Sequence, residues 1–69
     1  MLIQLEDTAL VVDLCAHYTR SGFTAEPVGG GMVEVGHPGA RSAEEERREV
    51  LMHLRVWDLI HPEAGARLP

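Results

Sequence analysis

The longest regular pattern of apolar and polar positions lies in the segment 42–61. Ser42 stands three residues before Glu45, which is the capping-box spacing at the start of a helix. Charged residues fill the next two turns at a spacing that allows ion pairs, and apolar residues recur at helical spacing from Val50 onward. His61 precedes a proline, and the residue before a proline is pushed out of helical geometry. The pattern therefore predicts one capped helix over 42–61.

This helix carries apolar residues on more than one side. At about 100° per residue, the natural core face is a stripe made of Val50, Leu51, Leu54 and Trp57. Four further apolar residues point away from this stripe or fall between the two directions, namely Met52, Val56, Leu59 and Ile60. A surface helix of a small monomer is usually polar on its outer side, so these four residues predict a partner-binding surface. The alternative is that a few apolar side chains are simply exposed.

A second amphipathic pattern follows the N-terminal residues. Asp7 is expected to cap a helix that runs to about Ser21, where Gly22 supplies a left-handed stop. The expected core side comprises Leu10, Val11, Leu14, Cys15 and Tyr18, and the expected solvent side comprises Asp13, His17 and Arg20. Phe23 then closes the end of the core.

The middle of the chain predicts a β-hairpin. Segments 24–28 and 32–36 are short extended runs separated by Gly29, Gly30 and Gly31, and tight turns need positive φ angles that glycine adopts at low cost. Pro27 cannot donate a hydrogen bond within a sheet, so its strand is expected at an edge. Val33 and Val35 are expected on the buried face. Residues 1–5 alternate as a short strand, and residues 65–69 predict either a last strand or a loose tail.

The element order predicts a single α+β domain over residues 1–69. Strand, helix, strand, strand, helix and a possible last strand are the succession of a small ferredoxin-like sandwich, in which an antiparallel sheet carries two helices on one face. A loose C-terminal tail over 63–69 is a further possibility. The alternative fold is a helix, hairpin, helix arrangement in which the first and last segments form no strands.

Composition narrows the classes of partner. The 69 residues carry eleven carboxylates against six basic residues, for a net charge of −5, and this balance argues against binding nucleic acid or an anionic membrane. Cys15 is the one cysteine, so an internal disulfide is excluded. A core this small leaves a thin stability margin, which favours burial against a partner chain. The segment 1–7 lacks the pattern of a signal peptide, and we expect a cytoplasmic protein.

Candidate chemical sites are weak. The three glycines could cradle a phosphate, but a strand and not a helix is expected to follow them. Asp13, His17 and Ser21 lie on one helix face and point outward in parallel, so no catalytic triad is expected. Cys15 lacks a neighbouring base and is expected to be a small buried residue. A metal site could assemble only from separate elements, with His37 and His53 as its candidates. We therefore expect no catalytic residues and no cofactor, so that the protein is not an enzyme.

Two hypotheses for function follow. The leading one is a non-enzymatic protein–protein interaction module, either a homodimer or an accessory subunit of a larger complex. It would use Met52, Val56, Leu59 and Ile60, or the edge strand that contains Pro27. The second is a regulatory domain that binds a small ligand or a metal on the sheet face or near His37.

Overall fold

The computed structural model describes all residues from Met1 to Pro69 and shows an α+β protein. A three-stranded antiparallel sheet in the order β1-β3-β2 packs with two α-helices. The elements are β1 (Leu2–Gln4), α1 (Val11–Arg20), β2 (Thr24–Gly29), β3 (Met32–Gly36) and α2 (Ala43–Ile60). The predicted α+β class is confirmed. The ferredoxin-like arrangement is not, because the chain forms three strands and no fourth.

One face of the sheet builds the core. Ile3 lies opposite Val33, which lies opposite Pro27, and Ala25 lies opposite Val35. Alternate residues of a strand point to the same face, so these side chains share one side of the sheet. Ala25 is half-buried and Pro27 is exposed, whereas the three other side chains join the buried core. The core cluster comprises Ile3, Leu5, Leu14, Tyr18, Phe23, Val33, Val35, Val50, Leu54, Trp57 and Ala64. The predicted inward positions of β3 and the closing role of Phe23 are confirmed.

The glycine turn between β2 and β3 is the predicted hairpin. Gly29, Gly30 and Gly31 have φ angles of +96°, +62° and +78°, which other residues adopt only with strain. The register shifts between Pro27 and Gly29. The strand containing Pro27 lies at an edge of the sheet, as its missing N–H group predicted.

The first helix differs from the prediction at its start and on one flank. Asp7 does act as a cap, because its carboxylate accepts the N–H of Ala9 at 3.0 Å, but it caps a 3-10 turn over Thr8–Leu10 that precedes α1. The predicted end is confirmed, with Gly22 at a φ of +86°. The expectation that His17 faces solvent is wrong. Its ring contacts the ring of His53 on α2, because it lies at the border between the buried and exposed sides.

Only one of the two hydrogen bonds of the predicted capping box forms at the start of α2. The Ser42 hydroxyl accepts the N–H of Glu45 at 3.0 Å, but no return bond from Glu45 is formed. Glu46 instead accepts the backbone N–H of His37 at 2.9 Å and so ties the preceding loop to the helix. The charged residues of the first turns form no ion pair, although their spacing allows one. The N-terminal amine forms an ion pair with Glu34, and the His61 ring lies 3.7 Å from the Glu63 carboxylate.

The C-terminal residues return to the sheet without forming a strand. Ala64 is buried within a 3-10 turn over Pro62–Ala64. Gln4 and Arg67 exchange two backbone hydrogen bonds, of 2.8 and 2.9 Å, in one isolated bridge at the open edge of β1.

The two helices are joined by a direct hydrogen bond, because the Tyr18 hydroxyl donates to the Val50 carbonyl at 2.7 Å in the core.

Candidate functional site

The outer face of α2 carries the most extended apolar surface of the chain. Val50, Leu54 and Trp57 turn inward, while Leu51 is half-buried. Because the helix repeats every 3.6 residues, the residues between them are turned away from the core. Those residues form what we call the outer stripe, with the exposed fractions Met52 52%, Val56 51%, Leu59 79% and Ile60 67%. The structure thus places all four predicted residues at the surface, at the spacing i, i+4, i+7 and i+8.

Charged residues border the outer stripe. Glu45 and Glu49 continue its line toward the start of the helix, and Arg48 and Arg55 lie along one flank at about 100° per residue. On that flank is an open groove to which no other element contributes a wall, and its lining consists of Glu44, Arg47, Arg48, Leu51, Met52 and Arg55. The stripe is therefore an apolar band with both signs of charge beside it.

Other exposed apolar residues do not form a comparable surface. Leu2, Val12, Val28 and Leu68 each lie on a different element or segment. Val12 is 76% exposed on α1, but its side chain points away from the core side of that helix and no second apolar residue of comparable exposure lies on α1. Isolated exposed apolar residues are normal in small proteins. A row of four exposed apolar residues on one helix face is not normal in a small protein.

The edge of β2 is a poorer docking site than its position indicates. Val35 exchanges two backbone hydrogen bonds with Met1, each of 2.8 Å, so the backbone groups of Val35 and Val33 face β1. Pro27 lies opposite Val33, and in an antiparallel pair its missing N–H therefore falls on the free edge. That edge has no donor at Pro27, and the register shift that follows interrupts it further.

The outer face of the sheet is acidic. Glu26 lies directly opposite Glu34, and like charges at opposite positions repel each other. The N-terminal amine lies 2.8 Å from the Glu34 carboxylate and offsets part of this repulsion. The face that the ligand hypothesis singles out thus has one carboxylate already paired within the chain.

The histidines meet aromatic rings. His37 stacks on Phe23 with ring centroids 4.4 Å apart, and His53 lies 4.8 Å from the same ring. His17 lies 5.7 Å from His53, and His61 lies 4.6 Å from Trp57. No group of three or more His, Cys, Asp or Glu residues lies close enough to hold a metal ion, and the two metal candidates contact Phe23 instead.

This ring cluster could not be found by sequence reasoning. His17 and His53 stand far apart in the chain, and neither lies in a spacing pattern with the other. The signal that could have pointed to it is the helix projection, which places His17 at the border of the buried face of α1.

The remaining candidate residues do not converge. The Ser21 hydroxyl donates to the backbone carbonyl of His17 at 3.1 Å, so it completes a helix end and makes no contact with the imidazole ring. Cys15 is half-buried, and burial raises the pKa of its thiol. A thiol with a raised pKa is a poorer nucleophile at neutral pH, because less of it is ionised.

Neither α1 nor α2 combines the length and the apolar composition that crossing a membrane requires. No family model matches the chain, and no curated protein or solved structure matches it. Any role of the outer stripe therefore rests on the geometry of its residues alone.

Proposed function

We propose that this protein is a cytoplasmic, non-enzymatic protein–protein interaction module that pairs with a second copy of itself through the outer stripe of α2. The observation that carries the proposal is the row of four apolar side chains, each more than half exposed, on one face of one helix. A contiguous apolar row at a surface marks a contact site more often than scattered exposure does.

The small size of the core supports the proposal that further apolar surface is buried between two copies. The core cluster comprises 11 residues, and the one cysteine leaves no disulfide. A single core of this size contributes a few kcal/mol of net stability, and small domains without metals or disulfides commonly gain the rest by oligomerisation. Covering the outer stripe would extend the apolar burial of α2 to both of its sides.

The stripe is complementary to itself. In an antiparallel pair of α2 helices centred on Val56, Met52 faces Ile60 of the second copy, and Val56 faces its own counterpart. A two-fold axis relates the two copies, so that the apolar residues of one helix face apolar residues of the other in a closed arrangement.

We also propose that the fold is a reduced ferredoxin-like arrangement. The support is the sheet order β1-β3-β2 together with the bridge between Gln4 and Arg67, which lies at the edge where that fold carries its fourth strand. One bridge stands in place of a strand. Such a relationship would describe the architecture and transfer no activity.

The mass of the protein in solution tests the self-association. Size-exclusion chromatography with light scattering is expected to give twice the 7.6 kDa chain mass for the wild type. Met52→Glu and Leu59→Glu place a charge in the apolar contact and should each give a monomer that remains folded by circular dichroism. Val12→Glu is the matched control, because it makes the same kind of change on an exposed helix position away from the stripe.

Two results would overturn the pairing. One is a wild type that runs as a monomer up to high micromolar concentration, which would leave the accessory-subunit form of the hypothesis with a different partner. The other is a Val12→Glu variant that dissociates as readily as Leu59→Glu, which would show a general effect of added charge.

A further inference from the structure

The contact between α1 and α2 includes a pair of histidines. The rings of His17 and His53 lie 5.7 Å apart. Tyr18 borders both, with centroid distances of 5.4 Å to His17 and 6.3 Å to His53. The same tyrosine donates to the Val50 carbonyl of α2 in the core. Two titratable rings thus lie beside the hydrogen bond that joins the helices.

The surroundings of His17 suit a neutral ring. Its Nε2 atom is buried and has no hydrogen-bond partner. A neutral imidazole can leave this nitrogen without a proton, whereas the protonated ring carries an N–H at both nitrogens. Protonation would then place a second N–H and a positive charge at a partly buried site, which is costly.

The neighbouring charges add to this cost. His53 and His61 face His17 from α2, and Arg20 lies on its own helix. No carboxylate of the chain forms an ion pair with His17. Burial is the main cause that lowers the pKa of His17 from its ordinary 6.5; a backbone hydrogen bond at His53 opposes the shift, and the charges of His53, Arg20 and His61 reinforce it.

We propose that the contact between α1 and α2 is an acid-sensitive switch, in which uptake of a proton at His17 separates the two helices. Separation would break the bond between Tyr18 and Val50 and uncover the apolar side of α1 that includes Leu14. The device belongs to the single chain and does not depend on the pairing of two copies.

The sign of the pH effect follows from linkage. A folded-state pKa below 6.5 means that the unfolded chain takes up a proton before the folded chain does as the pH falls. The contribution to stability is therefore complete above about pH 6.5 and is lost progressively below it. One proton changes the unfolding equilibrium constant by at most about tenfold per pH unit.

Urea unfolding between pH 7.5 and 5.5 tests the switch, since this window lies above the range in which ordinary carboxylates titrate. The wild type should show an unfolding constant that rises several-fold across the window. His17→Gln, which stays neutral, should remove most of this rise. His61→Gln is the control, because the charge of this ring is the smallest of the causes that lower the pKa of His17 and the ring lies beside Glu63 after the end of α2. This variant should keep most of the rise. A His17→Gln variant with the wild-type dependence would overturn the proposal.

A second measurement on the wild type applies if His17→Gln does not fold. In an NMR titration, the His17 ring should titrate with a midpoint below 6.5, and the amides of Tyr18 and Leu54 should shift with the same midpoint. The two amides report the contact between the helices and not the ring alone. A midpoint at or above 6.5, or a His17 transition that leaves both amides unchanged, would overturn the proposal.

Discussion

Gly31 occupies a position with no room for a side chain. It is buried at a φ of +78°, and a Cβ atom there would lie 2.7 Å from the Leu5 carbonyl oxygen and 3.1 Å from Nε2 of Gln4. Its own carbonyl accepts the Leu5 N–H at 2.9 Å. The turn is thus held against the end of β1. Gly30, one residue earlier, also has a positive φ, but a Cβ there would meet nothing within 4 Å.

These two glycines make a matched pair of variants. Gly30→Ala should cost about 1 kcal/mol, because it bears only the strain of a left-handed backbone. Gly31→Ala should cost at least about 2 kcal/mol more, because the Leu5 backbone is held against this turn by the hydrogen bond from its N–H to the Gly31 carbonyl and cannot move aside freely. Urea unfolding followed by circular dichroism measures both. Equal losses for the two variants would show that the contact with Leu5 does not constrain the turn.

Single residues could be predicted where periodicity alone decides their environment. Val33 and Val35 are buried and Glu34 is exposed, because a strand with one covered face alternates strictly. His17 could not be placed in this way. It lies at the border between two faces of α1, where the position of the neighbouring helix decides whether a side chain is covered.

At the scale of elements, Glu46 joins α2 to the loop before it. Its carboxylate accepts the His37 N–H at 2.9 Å and is partly buried there. Glu45 stands beside it in the same turn and makes no side-chain hydrogen bond, although its charge has the same favourable position near the start of a helix. The pair separates the effect of the hydrogen bond from the effect of the charge.

Glu46→Ala should therefore destabilise the protein by about 1 kcal/mol more than Glu45→Ala. The difference corresponds to one hydrogen bond with a charged acceptor, reduced because the site is partly exposed to water. Thermal melting of the two variants side by side gives the comparison. If both variants melt alike, the loop is held by the stacking of His37 on Phe23 and not by Glu46.

The limits of elements were predictable where local chemistry sets them. Ser42 marks the start of α2 and Gly22 the end of α1, because a cap and a left-handed stop are short-range signals. The 3-10 turn after Asp7 was not predictable, since Asp7 can cap either kind of turn. Whether residues 65–69 form a strand depends on how far they pair with β1. A long-range contact of this kind leaves no local pattern in the sequence.

At the scale of the whole molecule, the proposed pairing through the outer stripe would link stability to protein concentration. A dimer that forms only from folded chains is stabilised by mass action. The melting temperature of the wild type should rise by about 5 °C for each tenfold increase in protein concentration, given the unfolding enthalpy of two chains of this size. Leu59→Glu should melt at a temperature that does not depend on concentration. Scanning calorimetry over a hundredfold range measures both, and a constant melting temperature for the wild type would contradict the pairing.

The outer stripe itself could be located from the sequence, since four residues at helical spacing on the far side from Trp57 are enough to define it. The partner that binds the outer stripe could not be predicted, because the spacing describes this surface and not the surface of the partner.

Pro27 limits how large an assembly of these chains can grow. Copies that met edge to edge could each add a strand and leave a fresh edge behind, and such growth gives filaments without a natural end. The edge of β2 offers no donor at Pro27, whereas a helix face used by two copies is fully occupied once both are in place. The proposed pairing by α2 would therefore close at two chains, and the missing N–H group of Pro27 would disfavour growth by addition of strands to the edge of β2.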